Sequence, residues 1–192
     1  MENEFIEYTR ETKEVKIKVN LRINGRGIFE GSCGTVFMDH MIKTLAKHGR
    51  IDIIVDAKGD LKHHIIEDLA ICIGKAINSA LRNKEGIARF GFAYVPMDEA
   101  LARAVVDLGG RAYCKLELNV RDNVIEDTKI EDIIHFLETL SQSLEANIHI
   151  SVLYGFNDHH KIEASIKALA IALREAMKKI GDGIPSTKGV IG

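Results

Sequence analysis

His63-His64-Ile65-Ile66-Glu67 and His159-His160-Lys161-Ile162-Glu163 carry one pattern, His-His-x-x-Glu, twice in the same chain. Each copy opens an apolar stripe at helical spacing. In the first, Leu69, Ile73, Ile77 and Ala80 recur on one face; in the second, Ile162, Ile166, Leu169, Leu173, Met177 and Ile180 do, with Gly181 as the expected helix stop. Residues three and four apart share a helix face, so histidine and glutamate of each copy can converge on one point. Imidazole with carboxylate is a metal-binding set. An isolated histidine at a helix start is usually solvated or hydrogen-bonded, and the duplication is what lifts these above that reading.

The repeat extends upstream. His40 lies 23 residues before His63 and His135 lies 24 before His159, and each is followed at the same offset by Thr-Leu, as Thr44-Leu45 and Thr139-Leu140. Val15, Ile17, Val19 and Leu21 alternate with Lys16, Lys18 and Asn20, the period of a half-buried strand, and Asn24-Gly25-Arg26-Gly27 reads as its turn. A short strand to about Phe29, a helix from Met38 to Lys47 and a strand from Asp52 to Ala57 follow, while Phe92 to Val120 is strand-rich. The expected fold is therefore α+β: two βαβα-type halves, about residues 1–91 and 92–192, related by a pseudo-twofold, with antiparallel sheets covered by helices. The only prolines are Pro96 and Pro185 and no linker-like segment separates the halves, so residues 1–192 are expected to form a single domain.

Composition narrows the function. The chain has 46% apolar and 28% charged residues with a net charge of -2, which favours neither nucleic acid nor an anionic membrane surface. No apolar run reaches the roughly 20 residues of a membrane span, and Met1 to Arg10 lacks the pattern of a signal peptide. Cys33, Cys72 and Cys114 stand far apart, which suits reduced thiols in a cytoplasmic protein and argues against a zinc-thiolate site.

The candidate metal ligands are His40, His63, His64, Glu67, His135, His159, His160 and Glu163, enough for two sites of three imidazoles and one carboxylate each. Without thiolate, the set suits manganese or iron, and zinc as well. Adjacent histidines on a helix face different directions, so the members of each pair can reach different ions. Among the other histidines, His149 lies in the apolar run Ile148–Leu153, where a core role is expected, and His48 ends a helix, where a cation would suit the helix dipole. Pro185-Ser186-Thr187-Lys188-Gly189 resembles an anion clamp, and Arg89 and Arg111 are further candidate phosphate donors.

Read in order, Arg10-x-Thr12-Lys13-Glu14, Phe37-x-Asp39-His40-Met41, Gly59-Asp60-Leu61, His63-His64-x-x-Glu67-Asp68, Arg89-Phe90-Gly91, Pro96-Met97-Asp98-Glu99-Ala100, Asn157-x-His159-His160-x-x-Glu163 and Pro185-Ser186-Thr187-Lys188-Gly189 closely resemble the imidazoleglycerol-phosphate dehydratase family of histidine biosynthesis. The resemblance spans nearly the whole chain. It implies a duplicated α+β fold, two manganese ions per site, and a hollow homo-oligomer of about 24 subunits with active sites between them. It also implies a phosphorylated imidazole substrate, dehydrated to imidazole-acetol phosphate. The hydrogen to be removed has no carbonyl beside it. Metal coordination of the ring nitrogens would stabilise an imidazolate able to expel the neighbouring hydroxyl as a diazafulvene, and a carboxylate would then take the proton from the next carbon. By the resemblance Glu14 is that carboxylate and also a substrate contact, with His48, Arg89, Arg111, Ser186 and Lys188 as the other substrate-binding residues.

The chain departs from the family at the lead into the first motif, where Gly59-Asp60-Leu61-Lys62 replaces a loop longer by three residues with an acidic pair. Two other functions use similar ligands: a dinuclear metal-dependent hydrolase and a metal-assembled oligomer without activity. Neither requires Glu14 together with an anion clamp.

Overall fold

The computed structural model describes residues 4–191, so residues 1–3 of the stretch read as lacking a signal peptide lie outside the described residues. Strands β1 (Ile6–Glu11) and β2 (Val15–Arg22) form a hairpin, followed by β3 (Phe29–Glu30), α1 (Val36–Gly49), β4 (Asp52–Gly59) and α2 (Lys62–Leu81). The second half runs β5 (Phe90–Met97), β6 (Ala100–Asp107), β7 (Tyr113–Glu117), a small hairpin β8 (Val124–Ile125) and β9 (Thr128–Lys129), α3 (Ile130–Leu144), β10 (Asn147–Tyr154) and α4 (Asp158–Ala176). The sheet orders, β1-β2-β4-β3 and β5-β6-β10-β7, are one topology used twice. Apart from the β8–β9 hairpin, each element of one half has its counterpart in the other.

Each half thus carries a full hairpin ahead of the strand, helix, strand and helix read from the sequence. β1 escaped that reading because Glu7, Thr9 and Glu11 occupy its open face and Tyr8 and Arg10 its half-buried one, leaving little apolar alternation. Three strands of each sheet are antiparallel, as expected; the fourth, β3 or β7, lies parallel to β4 or β10 at the sheet edge. That edge strand can be parallel because an α-helix returns the chain from it to its neighbour.

The helices lie between the two sheets. α2 packs on β1 and β2, α4 on β5 and β6, and the halves meet where α2 crosses α3 and α4 crosses α1. Small residues permit both crossings. A Cβ on Gly74 of α2 would stand 2.7 Å from Ser143 Cβ and 2.9 Å from the Leu144 nitrogen of α3. At the matching crossing Gly49 of α1 faces the backbone of Ala170 in α4. One buried apolar cluster, from Val15 of β2 to Met177 after α4, draws on both halves. Its burial drives the association of two units that could not cover their helix faces alone.

Two local expectations change. α4 ends at Ala176, well before Gly181, and Ile180 is exposed because its backbone N–H leaves the helix to bond Gly86 O. His149 is not a core residue. Strand alternation buries Ile148 and Ile150 and turns His149 onto the open face of β10, its ring 5.5 Å from that of Tyr113.

Candidate metal centre

The helix crossings bring six of the eight candidate ligands into two clusters. His159 and Glu163, one turn apart on α4, meet His40 of α1; His63 and Glu67 of α2 meet His135 of α3. Within each cluster the three donor atoms lie within 4.8 Å of one another. Glu163 Oε2 stands 3.3 Å from the Nε2 of both His40 and His159, and Glu67 Oε1 is 3.3 Å from His135 Nε2. Each cluster is therefore built across the halves, with the upstream histidine of one repeat joining the motif of the other. The helix pairs α1·α4 and α2·α3 impose that exchange.

His64 and His160 stand apart. Neither contributes a donor atom to the close-set groups, so each cluster holds two imidazoles and a carboxylate rather than three imidazoles and a carboxylate. This follows from the roughly 100° turn between successive helical residues.

All four motif histidines meet a carboxylate through Nδ1. His63 pairs with Asp132 at 2.6 Å, His64 with Asp60 at 2.8 Å, His159 with Glu126 at 3.2 Å and His160 with Glu99 at 2.7 Å. A proton held on Nδ1 leaves the Nε2 lone pair outward, which is how imidazole ligands are oriented and made more basic. The hydrogen bond from His160, with the Asn157 N–H, holds the Glu99 carboxyl down at about 2. The bond to Asp60 raises His64 above its ordinary value. At Glu163 burial pushes the carboxyl up, but hydrogen bonds from Lys167 and His40 outweigh it and the net shift is downward.

The remaining candidates fall in three places. Glu14, in the β1–β2 turn, is well exposed and its Oε2 lies 3.8 Å from His64 Nδ1. His48 lines an open cavity of about 580 Å³ together with His40, Glu163, Lys43, Lys47 and Lys167. Burial, then the cations Lys167 and Arg174, lower its pKa. Arg89 is not a solvated side chain: it donates to both carboxylate oxygens of Asp107, at 2.7 and 3.1 Å, and to Pro185 O at 2.9 Å, tying down the start of the 185–189 segment. Ser186 is half-buried and accepts from Lys188 N, while Arg111 is exposed. Arg89 N bonds Ala176 O at the far end of α4, so this group and the metal cluster on His159 sit at opposite ends of a helix of 19 residues.

The donor set fits a resident metal ion. His135 Nε2 is buried and has no hydrogen-bond partner among the described residues, although Glu67 Oε1 is 3.3 Å away. An unpartnered buried ring nitrogen this close to a carboxylate, with a donor atom of His63 also within 4.8 Å, is what the ligands of one ion would present. Nitrogen and oxygen donors without thiolate suit manganese, iron or zinc.

The family model for imidazoleglycerol-phosphate dehydratase matches residues 33–173. The chain belongs to the imidazoleglycerol-phosphate dehydratase family. An imidazoleglycerol-phosphate dehydratase of Methanothermobacter thermautotrophicus is 50% identical over 184 residues, covering 94% of each chain. One of Methanococcoides burtonii is 48% identical over 186 residues, 95% of this chain and 97% of that relative. The crystal structure of IGPD from Pyrococcus furiosus in complex with (S)-C348 superposes with a TM-score of 0.82 at 36% identity, covering 95% of this chain and 99% of that one. The imidazoleglycerol-phosphate dehydratase of Staphylococcus aureus superposes at 0.81 with 29% identity, covering 91% and 99%.

Membership of the dehydratase family makes the chain a hydro-lyase and removes the hydrolase and inert-oligomer readings. The family is metal-dependent, in keeping with the two donor clusters. None of the helices among the described residues is long and apolar enough to cross a membrane. Four site residues were given no role by the sequence: Asp60 and Glu99 stood only inside motifs of the family resemblance, Glu126 resembles a turn residue and Asp132 a first-turn helix acid. Lys167 is a fifth, its Nζ 2.8 Å from Glu163 Oε1.

Proposed function

We propose that this chain catalyses the manganese-dependent loss of water from imidazoleglycerol phosphate, giving imidazole-acetol phosphate, in histidine biosynthesis in the cytoplasm. The observation that carries this reading is the pair of cross-half clusters, His40–His159–Glu163 and His63–Glu67–His135, each presenting oriented donors with room for further ligands. Residues 1–192 act as one domain of two repeats sharing a core, about 1–91 and 92–192. His40, His159 and Glu163, and His63, Glu67 and His135, would each hold a manganese ion, or iron or zinc in its place.

Bound metal would supply Lewis acidity, holding the substrate ring as its anion so that the hydroxyl beside it can leave. The chain's own groups do the rest. Glu14 takes the proton from the neighbouring carbon; its exposed carboxylate accepts no close hydrogen bond among the described residues, and its nearest cationic neighbour, His64 Nδ1, is 3.8 Å away. His48, Arg89, Arg111, Ser186 and Lys188 bind substrate, the cations and hydroxyl through its phosphate. The backbone of Arg89, bonded to Ala176 O, lies 17 residues of α4, roughly 25 Å, from that of His159, too far for both to touch one small substrate. The active site is accordingly shared between copies, and His64 and His160, turned away from their own clusters, serve as the missing imidazoles of neighbouring ones. Such head-to-tail exchange builds a closed homo-oligomer, with about 24 subunits expected by resemblance.

Turnover of imidazoleglycerol phosphate should require manganese and coincide with a large native mass. Persistent turnover after complete metal removal would refute the mechanism. A Glu14→Gln variant should keep its metal and assembly yet lose about 10²- to 10⁴-fold in kcat; near-normal kcat would remove Glu14 from the role.

A further inference from the structure

The first hairpin turn of each half sets a glutamate beside the second histidine of that half's motif, yet the two glutamates are held very differently. In the second half Glu99, between β5 and β6, accepts from His160 Nδ1 at 2.7 Å and from the backbone N–H groups of Phe156 and Asn157 at 3.2 and 2.8 Å. It is fully engaged. In the first half Glu14, between β1 and β2, comes no nearer to His64 Nδ1 than 3.8 Å, because Asp60 already accepts from that nitrogen at 2.8 Å. Asp60 reaches it from the tight Gly59-Asp60-Leu61 lead into α2, one helical turn before His64, where it also accepts the Leu61 N–H at 2.7 Å.

We infer that Asp60 is a positioning residue that frees Glu14: by orienting His64 in the place where the other half uses its turn glutamate, it leaves the first-half glutamate available for proton transfer. This rests on the reading of Glu14 as the base. The duplication began with equivalent positions, and the short lead into α2 lets one half divide the work of one carboxylate between two. A carboxylate already bonded to an imidazole is fixed in place and made less basic, so the division favours proton transfer on the reactive side and is unnecessary at Glu99. Conversely, because Glu14 remains within a side-chain rotation of His64, it can replace Asp60 as the orienting group at the expense of its own function.

Manganese affinity, read from the free-ion signal in electron paramagnetic resonance, and kcat at saturating manganese test this in five variants. Asp60→Asn should keep manganese affinity within a few-fold and lose ten-fold or more in kcat, since Glu14 is drawn onto His64. Glu14→Gln should keep the affinity. The double variant Asp60→Asn with Glu14→Gln should lose affinity about 10- to 100-fold, the usual result of removing an orienting partner. Glu99→Gln, with no reserve carboxylate on Nδ1, should suffer that loss alone, and Asp60→Glu should recover most of the kcat. If Asp60→Asn weakens manganese as much as Glu99→Gln and excess manganese restores its kcat, Asp60 only holds the ligand and the inference fails. Unchanged affinity with unchanged kcat in Asp60→Asn also overturns it. Near-normal kcat in Glu14→Gln overturns instead the reading beneath it, and absence of manganese binding in the unmodified protein overturns both.

Discussion

The clusters on α1·α4 and α2·α3 use the same three residue types at matching positions but not the same surroundings. The side chain of Glu163 is only 10% exposed and has Lys167 at 2.8 Å, whereas that of Glu67 is 38% exposed and the residue one turn further along α2 is Ile71. His159 is oriented by Glu126, held at φ +52 in the turn of the β8–β9 hairpin. His63 is oriented by Asp132 from inside α3, a buried carboxylate on a rigid element. The same hairpin places Asp127 across the start of α1, where it accepts the N–H groups of Val36 and Phe37 at 2.6 and 2.9 Å in place of an N-cap side chain. Duplication thus preserved the ligands while the supporting groups diverged. The lesson is that ligand identity repeats more readily than the environment tuning it.

The largest effect expected from this difference is in metal removal. Chelation should abolish turnover and the large assembly together, with manganese restoring both, and ion release should occur in two resolved phases. A single phase of two ions would break the comparison.

Next in size, Asp132→Asn should weaken manganese binding about 10- to 100-fold at one cluster only, leaving one tight and one weak ion per chain in a binding isotherm. Equal weakening of both ions would mean that the clusters are not independent. A smaller change is expected at Lys167→Met. Removing a cation beside Glu163 should tighten the α1·α4 ion by a few-fold, on the order of 1 kcal/mol or less at this partly exposed distance. Weaker manganese binding there would show that Lys167 supports Glu163 more than it repels the ion.

The smallest effect concerns acid stability at the start of β4, where Asp52 stands. Burial pushes Asp52 up, but hydrogen bonds from Ile28 N, Arg22 and Arg26 N outweigh it, so its folded pKa lies below the unfolded one. The resulting stability is present above the unfolded value of about 3.9 and disappears as pH falls through the lower folded value. Asp52→Asn should therefore flatten the decline in melting temperature below about pH 4. An unchanged slope would remove Asp52 from that role.

Much of the site was legible because it is local. The His-His-x-x-Glu spacing, its upstream histidine and the apolar stripe each lie within one helix or its approach, where a 3.6-residue period converts sequence into direction. The strand Val15–Leu21 and the helix around Met38–Lys47 were readable for the same reason. Other features were hidden because their partners are remote: His63 meets Asp132 69 positions away and His160 meets Glu99 61 positions away. His149 misled in the opposite direction, since an apolar run on a strand also contains its outward-facing positions.

By itself, then, the sequence determined the residue types of the centre, their duplication and the helices that carry them, because those properties follow from composition and short-range periodicity. Tertiary structure alone decided that His40 joins the second motif and His135 the first, and which carboxylate the remote pairings give to His63, His159 and His160. The physical reason is the exchange of helix partners between halves: α1 packs on α4 and α3 on α2, and only that burial of apolar faces places donors from distant chain segments around one point.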